Sequence, residues 1–252
     1  MNQPSFASTF NRDWFIGYLG ISLTTMDKSI LADPEDQGQY VEIEDLLKAY
    51  TTRKEAIHAR LKEFAEIGHG PESKIFEELC FCLLTPQSKA RICDAAIRTL
   101  SQSGALMRGD AQQVLSQLRG VRFSVGKARW IVAAREEFYK EGRWTIKDRL
   151  NGFSNAREAR DWLVDNIMGL GHKEAGHFLR NIGMGENLSI LDRHIMKNLH
   201  RHGVIGEMPK ALSKKEYLRI EGLMKRFSSD IGIPLADLDL LFWSRETGEI
   251  FK

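Results

Sequence analysis

Cysteine is scarce in this chain, proline nearly so, and long hydrophobic runs are missing altogether. Three cysteines, Cys80, Cys82 and Cys93, fall within 14 residues of apolar, helix-like sequence. An odd, clustered set of that kind makes no disulfide framework. Alone it also falls short of the four ligands of a closed zinc or iron–sulfur centre. Buried thiols in a reducing compartment are the expectation. No stretch approaches the roughly 18–20 apolar residues of a membrane span. The opening MNQPSFASTFNRDW has no basic leader followed by a hydrophobic segment, so secretion is not expected and the cytoplasm is the default. Alternating β-branched segments are hard to find, which excludes strand-rich and doubly wound classes.

Net charge is small, +2 from 36 basic and 34 acidic residues over 252 positions, but it is unevenly spread. Residues 1–78 carry 8 basic and 14 acidic side chains, whereas residues 119–149 carry 9 and 4 and residues 172–226 carry 11 and 6. Two basic blocks in a near-neutral chain can present a positive face to a polyanion. Solvated helix surfaces account for them almost as well.

What the chain does have is helical periodicity, in an amount suited to one large domain with a core that needs no staples. The segment 43–67 repeats apolar positions every three or four residues. Further helices are predicted at 72–84, 87–100, 110–118, 126–140, 155–168, 172–181, 189–201 and 212–228, with a short apolar segment at 235–243. Pro86 is placed in the first turn of the helix beginning at Gln87. Residues 1–42 read as an extension of uncertain structure with one candidate helix at 12–22, and 43–252 as a helical domain. The predicted class is all-α.

The most informative stretch is 160–183, RDWLVDNIMGLGHKEAGHFLRNIG. One helix runs into Gly169-Leu170-Gly171 and a second begins at once. Two glycines around an apolar residue make a tight reversal, with both glycines expected in backbone angles closed to other residues and Leu170 plugging the gap. The uncapped amides at the start of the second helix suit a phosphate. Lys173 stands in that first turn, where the helix dipole disfavours a cation and, with desolvation, favours the free amine that attacks an electrophilic carbon. A solvated surface lysine is the plain alternative. Nineteen residues on comes Asp192, in Ile190-Leu191-Asp192-Arg193-His194-Ile195. It either caps a helix or faces the amine, where it would stabilise positive charge on a sugar.

Met168-Gly169-Leu170-Gly171-His172-Lys173-Glu174-Ala175 with Asp192 resembles the helix-hairpin-helix superfamily of DNA glycosylases, the hairpin falling at about 160–181. Three further stretches, Leu83–Ala90, Ile190–Ile195 and Leu238–Lys252, resemble the second, archaeal and bacterial, class of 8-oxoguanine DNA glycosylase/lyases. The resemblance covers about residues 43–252. It implies two helical subdomains flanking a DNA-binding cleft, without an added β-domain. It implies that Lys173 attacks C1′ of the damaged nucleotide, that Asp192 assists, and that a Schiff base permits β-elimination of the strand. The extruded base would stack on Trp243, an aromatic that core packing explains equally well, and be read at Lys252, the last residue. Gln87 would enter the emptied stack, with Phe123 as a second wedge. Gly169, Gly171, Lys127, Arg129 and Arg193 would meet phosphates.

The tail holds no cysteine after Cys93, which disfavours relatives carrying an iron–sulfur cluster. The histidines form no HExxH pattern, and no catalytic metal or cofactor is needed when an amine is the nucleophile. A monovalent cation held by hairpin carbonyls remains open. The expected partner is duplex DNA containing oxidised guanine, met by a monomer in the cytoplasm, with the nucleoid as its place of work. Two other readings stay open at this point: a bifunctional glycosylase for a broader set of oxidised bases, and a noncatalytic module that binds duplex DNA through the hairpin.

Overall fold

The computed structural model describes residues 34–252, with side chains from residue 42 onward. The candidate helix at 12–22 lies outside that range. Among the described residues are twelve helices and one short antiparallel hairpin. In chain order these are α1 (Pro34–His69), α2 (Glu72–Leu84), α3 (Ala90–Gln102), α4 (Ala105–Arg108), α5 (Ala111–Gln117), α6 (Ser124–Phe138), β1 (Tyr139–Lys140), β2 (Arg143–Trp144), α7 (Ile146–Asn151), α8 (Ala156–Asn166), α9 (His172–Asn181), α10 (Arg193–Arg201), α11 (Lys214–Asp230) and α12 (Leu235–Thr247).

Two helices that are apolar nearly all round each organise one half of the molecule, as expected of helices with no solvent face. In α2 the run Ile75, Phe76 and Leu79–Leu84 is buried, and α3, α6, α7 and α9 pack around it. In α12 the run Leu235–Phe242 is buried against α1, α10 and α11. The result is two hydrophobic clusters, one from α2 to α9 and one from α1 and α10–α12, with Ile67 touching both. Helix α9 contacts α8, α2 and α1, so it lies on the seam.

The end of α1 is brought against the turn after α9 at very short range. A Cβ on Gly68 would collide with the carbonyl oxygen of Ile182, and one on Gly183 would come within 2.7 Å of the Ala65 Cα. Small residues here set how closely the two halves meet. The helix predicted from 43 begins earlier, at Pro34. The hairpin β1–β2 pairs Tyr139 with Trp144 and Lys140 with Arg143; sequence periodicity missed it because two-residue strands carry no period. All three cysteines are free and buried, and burial pushes the Cys93 thiol up to about 11.

Candidate active site

The hairpin between α8 and α9 is built unequally by its two glycines. Gly169 has φ +94° and lies flat on Trp130, whose ring atoms would stand 2.5 Å from a Cβ. Gly171 does not have the restricted geometry expected from sequence: its φ is −97° and ψ 179°, an extended backbone open to any residue. Its smallness matters instead against Glu174, whose carboxylate would stand 3.1 Å from a Cβ. Leu170 between them is buried, as a plug should be, while Met168 stands out in solvent, 65% exposed. No side chain caps α9 at Gly171, which leaves amides at a positive helix end facing outward.

Lys173 follows in the first turn of α9, three-quarters buried, with its ammonium 3.4 Å from Glu174. Asp192 is the N-cap of α10, and a single oxygen, Oδ1, takes the amides of His194 and Ile195, both at 2.8 Å. Capping and chemistry are therefore compatible, because Oδ2 is left over. The buried carboxyl of Asp239 feels the charge of both the Asp192 carboxylate and Lys173. Burial drives the Asp239 carboxyl up to about 6 against the pull of Arg180, which donates to it at 2.7 Å.

Beside this pair the Phe81 ring is a hub. His177, one turn beyond Lys173, meets it edge-on at 5.7 Å, Phe251 does so at 6.4 Å, and the Lys252 ammonium stands 4.8 Å over it. Trp243, partly buried at the boundary of the two clusters, is tilted against Phe251 at 6.5 Å. Trp243 and Lys252 thus flank one aromatic cluster, joined through Phe81 and Phe251. His177 is fully enclosed, and burial first, then Arg180, Lys173 and Lys252, hold its imidazole well below the ordinary value. Sequence reasoning passed over His177 and Trp130, for which residue type and spacing carry no signal.

Gln87 is not in a helix, contrary to the sequence reading. It sits in the turn between α2 and α3 with φ +55°, and α3 starts only at Ala90. Phe123, also at positive φ (+56°), precedes α6 and is 61% exposed. Non-glycine residues at positive φ are unusual, and among the described residues the third, Glu141, stands in the turn between β1 and β2. One side chain holds Gln87 and Phe123 in place. Lys127 donates to the carbonyls of Leu84 and Pro86, each at 2.7 Å, and to Ser88 Oγ at 3.1 Å. Ser88 Oγ in turn accepts the Arg122 amide at 3.0 Å. Lys127 therefore departs from its expected role at a phosphate. Lys127 as a residue is 1% exposed, and its ammonium, held below the ordinary lysine value by burial, is spent on three acceptors. Arg129 and Arg193 are exposed and free to reach a polyanion.

The family model for 8-oxoguanine DNA glycosylase matches residues 57–233. The 8-oxoguanine DNA glycosylase/AP lyase of Fusobacterium nucleatum is 43% identical over 209 residues, covering 82% of this chain and 96% of that one. The enzyme of the same name from Methanocaldococcus jannaschii is 37% identical over 203 residues, with coverages of 79% and 93%. Among solved structures, the Thermotoga maritima 8-oxoguanine DNA glycosylase superposes with a TM-score of 0.76 at 31% identity, covering 85% of this chain and all of that one. The M. jannaschii glycosylase/lyase in complex with a 15-mer DNA containing 8-oxoguanine gives 0.75 at 34% identity, with coverages of 84% and 100%. Identity at this level along four-fifths of the sequence, on a shared helical frame, makes this chain a member of the 8-oxoguanine DNA glycosylase family.

Proposed function

We propose that the chain excises 8-oxoguanine from duplex DNA and then cleaves the abasic strand, with Lys173 as nucleophile. The observation that carries the reading is Lys173, three-quarters buried in the first turn behind the hairpin, in a chain that belongs to this family. Asp192, at the cap of α10, keeps one oxygen outside its capping bonds. The Lys173 amine attacks C1′, and the glycosidic electron pair leaves with the base, which takes up a proton. Asp192 Oδ2 stabilises the cationic character that develops on the sugar. The ring then opens to a C1′ Schiff base, a proton leaves C2′, and the C3′–O bond breaks with the phosphate as leaving group. Trp243 stacks on the extruded base and Lys252 reads it. Gln87 and Phe123 occupy the duplex it vacates, while Gly169, Gly171, Arg129 and Arg193 meet phosphates.

Amine chemistry of this kind needs no metal or cofactor, so activity is expected to survive a chelator. A monovalent cation at the hairpin would only rigidify it, and exchange of potassium for a bulky organic cation tests that. The working unit is proposed to be a monomer in the cytoplasm, acting at the nucleoid. Among the described residues no helix is long and apolar enough to cross a membrane.

The deciding experiment is borohydride trapping on a duplex with one 8-oxoguanine opposite cytosine. The parent should give a covalent adduct and a nick, and Lys173→Gln neither. Asp192→Asn keeps a competent helix cap and should fold like the parent while losing most of the excision rate. An adduct on other oxidised bases of equal yield would replace the substrate assignment with a broader one. Tight binding without any adduct would leave only a duplex-binding module.

A further inference from the structure

Glu78 lies in the most apolar stretch of α2 with 5% of its surface exposed, and its two oxygens serve two different parts of the site. Oε1 takes the Lys252 ammonium at 2.5 Å, and Oε2 takes the side-chain amide of Asn181 at 3.0 Å. Asn181 is the last residue of α9, the helix that opens with Lys173. Its own oxygen accepts Arg180 Nε at 3.2 Å, and Arg180 Nη1 donates to Asp239 at 2.7 Å. Every link in this chain from Glu78 to Asp239 is buried. Asp94, 3.3 Å from the same ammonium, is the second acid on Lys252. The two carboxylates overcome the burial that would by itself lower the Lys252 ammonium, and hold it above the ordinary lysine value.

A buried ionic chain of this kind is a poor device for stability, because apolar side chains of similar volume usually do as well. What it does offer is a fixed position for groups that would otherwise move. Residues 248–252 follow the end of α12 and belong to no helix or strand, and segments of that kind fray unless tied down. Arg91 adds a second tie, pairing with Glu249 and stacking on the Phe251 ring at 3.8 Å.

We propose that Glu78 is a positioning residue for lesion recognition. It sets Lys252 over the Phe81 ring through one oxygen and, through the other, registers that end of the chain against the helix carrying Lys173. The inference rests on the reading of Lys252 as a base-recognition residue. It makes Glu78 matter for choosing the base and not for the amine chemistry that follows.

The test compares single-turnover excision of 8-oxoguanine with nicking of a preformed abasic site, which has no base to read. Glu78→Gln keeps the volume and an acceptor for Asn181 but removes the negative charge that faces the Lys252 ammonium. Excision by Glu78→Gln should fall at least about tenfold while abasic nicking stays within about threefold of the parent. Lys252→Met should lower excision by a similar factor, and the double variant should be no worse than either single, as expected of one shared interaction. Equal loss of both activities in a Glu78→Gln protein with a native melting profile would overturn the proposal, and so would multiplicative effects in the double variant. If Glu78→Gln does not fold, Lys252→Met decides alone: undiminished excision by that variant overturns the proposal. A parent that nicks abasic DNA but excises no 8-oxoguanine fails in the first lane, before any variant. That result would remove the substrate assignment and this inference with it.

Discussion

At the scale of the residue, the hairpin glycines look alike in sequence and differ in what they allow. Gly169→Ala would force a side chain into left-handed backbone and into the face of Trp130 at 2.5 Å. The cost is about 3 kcal/mol, of which roughly 1–2 is the backbone term. A chain of this size should then melt roughly 6–12 °C lower. Gly171→Ala meets only the movable end of Glu174 and should cost less than about 1 kcal/mol, while weakening duplex binding by crowding the phosphate approach. Differential scanning calorimetry and a salt-controlled binding titration separate the two. Equal melting losses would mean that the hairpin's strain is not held at Gly169. Lys173 and Asp192 stand out in sequence because an amine at a helix start and an acid in an apolar setting are chemically conspicuous. Residue type and spacing still left a surface lysine and a helix cap open, and only the resemblance to a known family assigned them a joint role. Glu78, Asn181 and Arg180 were not legible. Their meaning comes from partners up to 174 positions away, which no local pattern reports.

At the scale of the element, sequence period located most helices to within a few residues and failed where a side chain outranked the local rule. Pro86 suits a helix start, but Lys127 draws the Leu84 and Pro86 carbonyls to itself, and the chain turns through Gln87 before α3 begins at Ala90. A basic residue in a basic block reads as a surface group until its acceptors are seen. Lys127→Met would strip a donor from two carbonyls and Ser88, at about 3 kcal/mol in all. It should also loosen two segments at once. Amide hydrogen exchange near residues 86–88 and 122–124 is expected to rise together in the variant. Faster exchange in only one of them would show that the loops are not jointly held.

At the scale of the whole molecule, acid should act on both halves, through His177 in α9 and through His202 beside α12. His202 is buried with its ring stacked on Phe227 and Phe242 at 5.8 and 5.6 Å. Burial, then Arg245 and Arg201, push its imidazole down to about 4. Between about pH 6.5 and 4 the unfolded chain binds a proton there that the folded chain refuses, so stability is lost as pH falls through that window. The full loss is on the order of 3 kcal/mol. Asp239, raised to about 6, works in the opposite sense and costs stability as pH rises from about 4 to 6. His202→Phe should therefore remove the His202 share of the acid loss, about 2 kcal/mol between pH 7.5 and pH 5, while the share of buried His177 stays. Urea titrations of parent and variant at both values measure the difference, and parallel pH slopes would remove His202 from the account.

Gln87 and Phe123 carry a last consequence, one for how such a molecule can change over generations. Glycine at either position would relax a backbone that holds φ near +55° and would make the fold sturdier by about 1 kcal/mol. Selection for heat resistance alone would thus favour glycine at both points. If these side chains enter the duplex as proposed, a glycine has nothing to place there, and the hardened protein would lose that probe. On the proposed role of Gln87 and Phe123, what keeps these two positions from being glycine is then the DNA and not the fold.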